Sequence, residues 1–128
     1  MTREDKELLL KDLCARLPYG LYVQDEYGDI IHISYNDVHF TNYFNAILEG
    51  NVKPYLFPLS SMTEEQKREY NFWKHEVPIC HYEYGDVVEK IELYDSPESF
   101  EYLIENHFDY RGLIPKGIAL DATGLNIY

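Results

Sequence analysis

The sequence has 128 residues, of which 45% are hydrophobic and 16% aromatic, enough for one domain with a buried core. Such an aromatic content, with thirteen tyrosines, excludes a disordered chain. The net charge of −12, with only eleven lysines and arginines and no basic cluster, argues against direct binding to nucleic acid.

The N-terminal segment is predicted to be a helix from about Arg3 to Arg16, capped by Thr2. Its expected apolar stripe follows the helical spacing i, i+3, i+4, i+7 and consists of Leu10, Leu13, Cys14 and Leu17. The segment has no apolar signal-peptide run, and no stretch approaches the ~20 apolar residues of a membrane span. We therefore expect a cytoplasmic protein without a membrane partner, with Cys14 and Cys80 as buried free thiols.

A β region follows the first helix. The segments GLYVQ and IIHIS flank the turn residues Asp25 and Gly28, which predicts a hairpin. Residues 38–48 are rich in aromatic and β-branched side chains, and we interpret them as one long bent strand or two short ones. The segment VKPYLFP is expected to be extended, and Pro54 and Pro58 favour a position at a sheet edge.

Two further helices have clear start signals. Thr63 and Gln66 form a T-x-x-Q capping box that predicts a helix over 64–75. Ser96 as cap and Pro97 at the first helical position predict a second helix over 97–107. We expect the two helices to pack against the sheet and to bury Tyr70, Trp73, Phe100 and Leu103.

Residues 86–94 fit both a strand and a helix, and the lack of a preceding cap favours a strand. After residue 108 the three glycines and one proline of GLIPKGIALDATGLNIY predict a turn-rich segment with one short element around 118–120. The sequence therefore predicts an α+β fold in one domain over residues 1–128. A small antiparallel sheet from residues 20–57, with 87–94 as a possible addition, packs against about three helices.

The acidic charge is concentrated in residues 81–109, where nine carboxylates stand against one lysine, a net charge of −8. Acidic residues recur at every third position from Glu83 to Glu101. Steps of three drift around a helix and alternate between the faces of a strand, so the run does not form one face. We expect exposed side chains and, as candidate binding residues, Glu83, Asp86, Glu89, Glu92, Glu101 and Glu105.

Two other groups of residues carry potential chemistry. Ligand types cluster at His75, Cys80, His81 and Glu83, but their spacing lacks the paired ligands of a zinc site, so no metal or cofactor is expected. The second group is a polar cluster candidate for acid–base work or anion binding, formed by His107, Asp109 and Arg111.

A purely structural role for this second group is favoured over a chemical one. His107 would lie near a helix C-terminus, and Arg111 would pair with Asp109 or cap carbonyl groups. The sequence contains no nucleophile elbow, phosphate-binding loop, dinucleotide fingerprint or kinase signature. Enzymatic activity is therefore not expected, although it stays open.

Three blocks of the sequence are distinctive as long strings: KDLCARLPYG (11–20), KPYLFPLSSMTEEQKREY (53–70) and FDYRGLIPKGIALDATGLNIY (108–128). In these blocks, about 50 residues in all, the chain resembles a family of small uncharacterised proteins of unknown function from gut bacteria and their prophages or mobile elements. The resemblance implies a bacterial, cytoplasmic, accessory protein that is complete at Tyr128. It implies no catalytic or binding residue.

Three functions are compatible with these patterns. The leading hypothesis is a non-enzymatic module that presents an acidic, tyrosine-rich surface to a protein partner. The first alternative is a nucleic-acid mimic that inhibits a DNA-binding protein by placing carboxylates where phosphates would lie. The second alternative is a small hydrolase or metal-dependent enzyme, which needs a pocket with converging polar groups. The oligomeric state is left open.

Overall fold

The computed structural model describes residues 1–34, 36–37 and 40–128. In these ranges the helices are α1 (Arg3–Arg16), α2 (Phe40–Leu48), α3 (Glu64–Phe72) and α4 (Pro97–Glu105). The strands are β1 (Leu21–Gln24), β2 (Ile30–Ile33), β3 (Lys53–Pro58), β4 (His75–Glu83), β5 (Asp86–Tyr94), β6 (Phe108–Asp109) and β7 (Leu120–Asp121). The predicted α+β class is confirmed.

The chain divides into two compact units. The first unit comprises Met1–Ser61 and Ile104–Tyr128, and the second comprises Met62–Leu103. The single domain expected from length stays a prediction, and the units are described separately below. None of the described helices is long and apolar enough to cross a membrane.

The first unit contains a five-stranded mixed sheet with the order β2-β1-β3-β6, in which β7 also pairs with β3. The predicted hairpin is confirmed as β1 and β2, but β6 and β7 run parallel to β3, so the sheet is not purely antiparallel. The prediction that VKPYLFP lies at a sheet edge is wrong, because β3 pairs with three strands. Prolines are tolerated there because Pro54 and Pro58 lie at the ends of ladders only two pairs long, where little hydrogen bonding is lost.

Helix α1 covers this sheet with a different face from the predicted one. Its buried residues are Leu9, Asp12, Leu13 and Arg16, whereas Leu10 and Cys14 are exposed. The expected stripe through Leu10 and Cys14 was therefore wrong, and so was the burial of the two cysteines, since Cys80 is also exposed. The buried face is shifted because it includes an ion pair between Asp12 and Arg16, which a count of apolar residues alone does not detect.

Residues 40–48 form helix α2, so the strand predicted for 38–48 is wrong; positions 38 and 39 lie outside the described residues. Phe40, Phe44 and Ile47 follow the helical spacing i, i+4, i+7. Ile47 is part of the core, and Phe40 and Phe44 pack against it. Burial of this aromatic face outweighs the β propensity of the segment.

The second unit contains α3, the hairpin formed by β4 and β5, and most of α4. Both predicted N-caps are confirmed. Thr63 and Gln66 exchange backbone and side-chain hydrogen bonds at the start of α3, at 2.8 and 3.1 Å. Ser96 and Ser99 do the same at the start of α4, at 2.8 and 3.0 Å.

Helix α3 ends three residues earlier than predicted, because β4 begins at His75. Trp73 is thereby a C-cap residue and is 46% exposed, so its predicted burial is wrong. Phe100 is also exposed, Tyr70 is half-buried, and only Leu103 of the four expected core residues is buried. The strand favoured for 86–94 is confirmed as β5, but it pairs with β4 in a separate two-stranded sheet and not with the sheet of the first unit.

Candidate functional site

The hairpin of the second unit contains most of the predicted binding residues. Strands β4 and β5 pair over nine residue pairs, from His75 opposite Tyr94 to Glu83 opposite Asp86. The connecting residues Tyr84 and Gly85 both have positive φ, at 52° and 86°. Positive φ at both central residues defines a two-residue type I′ turn, whose twist matches that of the two strands.

One face of the hairpin is largely apolar. The register places Tyr82 opposite Val87 and Pro78 opposite Ile91, with Leu93 on the same face. Tyr82, Val87 and Ile91 are 81%, 62% and 61% exposed. We call this set the apolar row: Pro78, Tyr82, Val87, Ile91 and Leu93. Cys80 and Glu89 face each other on the same face and interrupt this row between Val87 and Ile91. Exposed apolar side chains grouped on one face are typical of an interaction surface.

Carboxylates lie within the apolar row, at its end and on the other face of the hairpin. Glu89 and Glu76 share its face, opposite Cys80 and Leu93 respectively. Glu92 lies on the other face, where it is half-buried and accepts a hydrogen bond from the Tyr94 hydroxyl at 2.6 Å. That bond to Glu92 raises the pKa of Tyr94.

The six predicted binding residues do not form one cluster. Glu83 and Asp86 face each other beside the turn, and Glu89 and Glu92 lie on opposite faces of the same hairpin. Glu101 is on α4, and Glu105 belongs to the first unit. All except Glu92 are exposed, as expected.

Other carboxylates of the second unit stabilise its own structure. Tyr70 donates a hydrogen bond to Asp95, and Tyr102 donates one to Glu69 at 2.8 Å. Burial, followed by the bond to Glu69, raises the pKa of Tyr102 to about 12. Asp95 and Glu69 are therefore occupied within the unit and contribute less to a binding surface.

The metal-ligand types at His75, Cys80, His81 and Glu83 are spread along β4. Cys80 points to the opposite face from the other three, and His81 lies 3.7 Å from Glu83. Within the part of the chain that the structure describes, no group of three or more His, Cys, Asp or Glu residues is placed to hold a metal ion.

The predicted polar cluster of His107, Asp109 and Arg111 divides among separate partners in the first unit. Asp109 is buried and accepts hydrogen bonds from the backbone N–H groups of Leu113 and Ile114, both at 2.9 Å. Arg111 pairs with Asp12 at 3.3 Å, so the predicted pairing of Arg111 with Asp109 is wrong. Asp109 instead closes the loop that follows β6.

Two buried residues that no sequence pattern singled out, Asp12 and Arg16, lie next to Arg111. Arg16 donates from Nε to Asp12 at 2.7 Å and from Nη2 to the carbonyl oxygen of Phe108 at 2.5 Å. The side chains of Arg16 and Asp12 are both buried. Because Arg111 also pairs with Asp12, two guanidinium groups converge on one carboxylate. An Asp and an Arg four residues apart, on the face shared by Leu9 and Leu13, were the available signal.

His107 lies just after the end of α4, as predicted, with φ of 65°. Its ring stacks on Tyr128 with the ring centres 3.7 Å apart. Burial, together with Arg16 and His32, lowers the pKa of His107 to about 4. The imidazole is therefore neutral at neutral pH and contributes packing in place of charge.

Tyr128 connects three segments of the first unit. Its hydroxyl donates to the carbonyl oxygen of Tyr55 at 2.8 Å and accepts from the N–H of Tyr22 at 2.9 Å. Burial raises the pKa of Tyr128. The polar residues from His107 to Tyr128 are thus mainly engaged in holding the unit together, which agrees with the structural alternative.

No family model, characterised protein or solved structure matches this chain. The resemblance to small proteins of gut bacteria therefore stays a prediction.

Proposed function

We propose that the chain is a non-enzymatic protein-interaction module that binds a basic protein partner through the β4–β5 hairpin. The observation that carries the proposal is the apolar row, which is exposed on the hairpin beside Glu76 and Glu89. Protein–protein interfaces combine exposed apolar side chains with polar ones, as this face does. The bacterial, cytoplasmic and accessory context belongs to this proposal.

The energetics of a hairpin support this assignment. An isolated two-stranded hairpin is at best marginally stable in water, and exposed valine and isoleucine side chains add little to its stability. Val87 and Ile91 are largely exposed in this chain. A partner that covers them would gain the burial energy that folding leaves unused.

The charge of the hairpin region selects the class of partner. Residues 81–109 carry a net charge of −8, with Lys90 as the single lysine. Such a surface attracts a positively charged partner over about a Debye length, ~8 Å at physiological ionic strength, and repels nucleic acid. The binding rate is therefore expected to fall as salt is added.

Two features favour a protein-binding surface over a nucleic-acid mimic. The hairpin carboxylates lie on both of its faces, and the apolar row occupies most of one face. A mimic of phosphates needs carboxylates in series with little apolar surface between them. For a metal-dependent enzyme, the described residues provide no group of three or more metal ligands.

The proposal is tested with a triple variant, Glu89→Gln, Glu92→Gln and Glu101→Gln, and a matched control. The control, Glu4→Gln, Glu26→Gln and Glu49→Gln, removes the same charge from exposed residues of the first unit. Immobilised wild type is used to capture proteins from a bacterial lysate, and each captured protein is purified and tested for direct binding at increasing salt. We expect a basic protein that binds wild type and control, and that loses affinity for the variant with glutamine at 89, 92 and 101.

The measurement also has a clear negative result. If every purified partner binds the three proteins equally at all salt concentrations, the acidic hairpin has no role in binding. It would then serve as a solvated surface that keeps a tyrosine-rich chain dispersed.

A further inference from the structure

The two-residue turn fixes which backbone groups of the hairpin point outward. In a β-turn the carbonyl group of the first residue bonds to the N–H of the fourth, here Glu83 and Asp86, which face each other in the register. Pairs along an antiparallel ladder then alternate between bonded and non-bonded positions. On β5 the non-bonded positions are therefore Val87, Glu89, Ile91 and Leu93.

Pro78 supports this assignment independently. Proline has no N–H and is accepted in a paired strand where that group would point away from the partner strand. Pro78 faces Ile91, which the alternation from the turn places among the non-bonded pairs. Both arguments direct the N–H and C=O groups of Ile91 away from β4.

The two outer edges of the hairpin are consequently unequal. On β4 the outward positions are Glu76, Pro78, Cys80 and Tyr82, and the proline interrupts their row of donors. On β5 the four outward positions include no proline, so the row is continuous. Within the described residues no further strand pairs with β4 or β5.

We infer that the partner adds a β-strand to the outer edge of β5. The inference rests on the proposed function and specifies how the partner binds. Strand addition satisfies the outward backbone groups of Val87, Glu89, Ile91 and Leu93 by main-chain hydrogen bonds. Apolar side chains of the added strand would lie against Val87 and Ile91, on the face of the apolar row.

Charge complementarity identifies the added strand as a basic segment of another protein. On β5, Asp86, Glu89 and Glu92 outnumber Lys90, so opposite-charge pairs across the new ladder require lysine or arginine. A second copy of this chain is disfavoured as the partner, because two chains that each carry a net charge of −12 repel each other. Charged side chains on an edge strand are a known protection against pairing with like strands.

The test uses a synthetic peptide of alternating lysine and valine that matches the nine-residue length of β5. A second peptide has the same sequence with alternate backbone amides N-methylated, which removes donors from one edge without changing charge. Affinities for wild type, Ile91→Pro and Cys80→Pro are measured by calorimetry. Ile91→Pro blocks the β5 edge at an outward N–H, and Cys80→Pro is its charge-matched control on the β4 edge.

We expect N-methylation and Ile91→Pro each to weaken binding by about tenfold. Cys80→Pro should bind as wild type does. N-methylation gives a result with the wild-type protein even if Ile91→Pro fails to fold, which circular dichroism would show.

Four results would overturn the inference. In the first two, the peptide does not bind the wild-type protein, or it binds equally with and without N-methylation. In the third, Cys80→Pro, and not Ile91→Pro, weakens peptide binding. The fourth result is that the chain alone sediments as a dimer that Ile91→Pro dissociates. The peptide tests can contradict strand addition while Glu89→Gln, Glu92→Gln and Glu101→Gln together still weaken partner binding. In that case the proposed function stands without strand addition. If those glutamine changes also have no effect, both fail.

Discussion

The β1–β2 hairpin and the β4–β5 hairpin have similar alternating sequences but differ in burial. Leu21, Val23 and Ile33 of the first are all buried in the core of the first unit. Val87 and Ile91 of the second occupy comparable alternate positions and remain exposed. Alternation therefore shows which side chains share a face, but not whether that face is covered.

The difference in burial between the two hairpins distinguishes apolar side chains that stabilise the fold from apolar side chains that stay exposed. In the first unit, burial of the core side chains provides the free energy of folding. In the second hairpin, the apolar row is exposed, and we propose that it serves binding in place of folding. Three substitution experiments test this contrast, in order of expected effect.

The largest effect is expected from Asp12→Ala. The change leaves the buried guanidinium group of Arg16 and the half-buried one of Arg111 without their carboxylate, and removal of one partner from a buried ion pair costs ~3–5 kcal/mol. Urea unfolding measures the free energy. The control is Glu7→Ala, which breaks an exposed pair with Arg3 and should cost under about 1 kcal/mol. Equal losses would show that the buried pair contributes no more than a surface pair.

A smaller effect is expected from the pair Leu56→Ala and Ile91→Ala. Leu56 is fully buried in β3, so its truncation should cost ~2–5 kcal/mol. Ile91 is exposed, so its truncation should change the free energy of unfolding by ~0.5 kcal/mol or less. A loss at Ile91 as large as that at Leu56 would mean that the apolar row is needed for folding, and the contrast between the hairpins would be wrong.

The smallest effect concerns pH. The pKa of His107 is about 4 in the folded chain, below the unfolded value of 6.5, so protonation favours the unfolded chain. The stability that neutral His107 contributes is complete above about pH 6.5 and is lost as the pH falls toward 4. In His107→Asn, which tolerates positive φ, the free energy of unfolding should fall less over that range. Parallel pH profiles of wild type and variant would contradict this.

Local signals in the sequence were sufficient for several elements. Thr63 with Gln66 and Ser96 with Pro97 mark the starts of α3 and α4 because the capping contacts are formed by residues three apart. The β1–β2 hairpin was predictable from alternation and from the turn residues Asp25 and Gly28. The exposure of most acidic residues in 81–109 followed from their spacing.

Features that depend on distant partners were not predictable in this way. β3 lies inside the sheet because β6 and β7 arrive from residues more than fifty positions later. The buried face of α1 depends on two distant residues. The carbonyl oxygen of Phe108 accepts a hydrogen bond from Arg16, and Arg111 pairs with Asp12. The turn between β4 and β5 has tyrosine where asparagine or aspartate is usual, so its sequence signal was weak.

The turn at Tyr84 and Gly85 also affects how this hairpin can change over evolution. Because side chains alternate with a period of two, an insertion that shifts the pairing register by one residue would move every β5 side chain to the opposite face. Substitutions in β5 alter its surface one position at a time, whereas a change in turn length would replace the whole surface at once. Tyr84 is almost fully exposed, so packing of its side chain does not restrict the length of this loop.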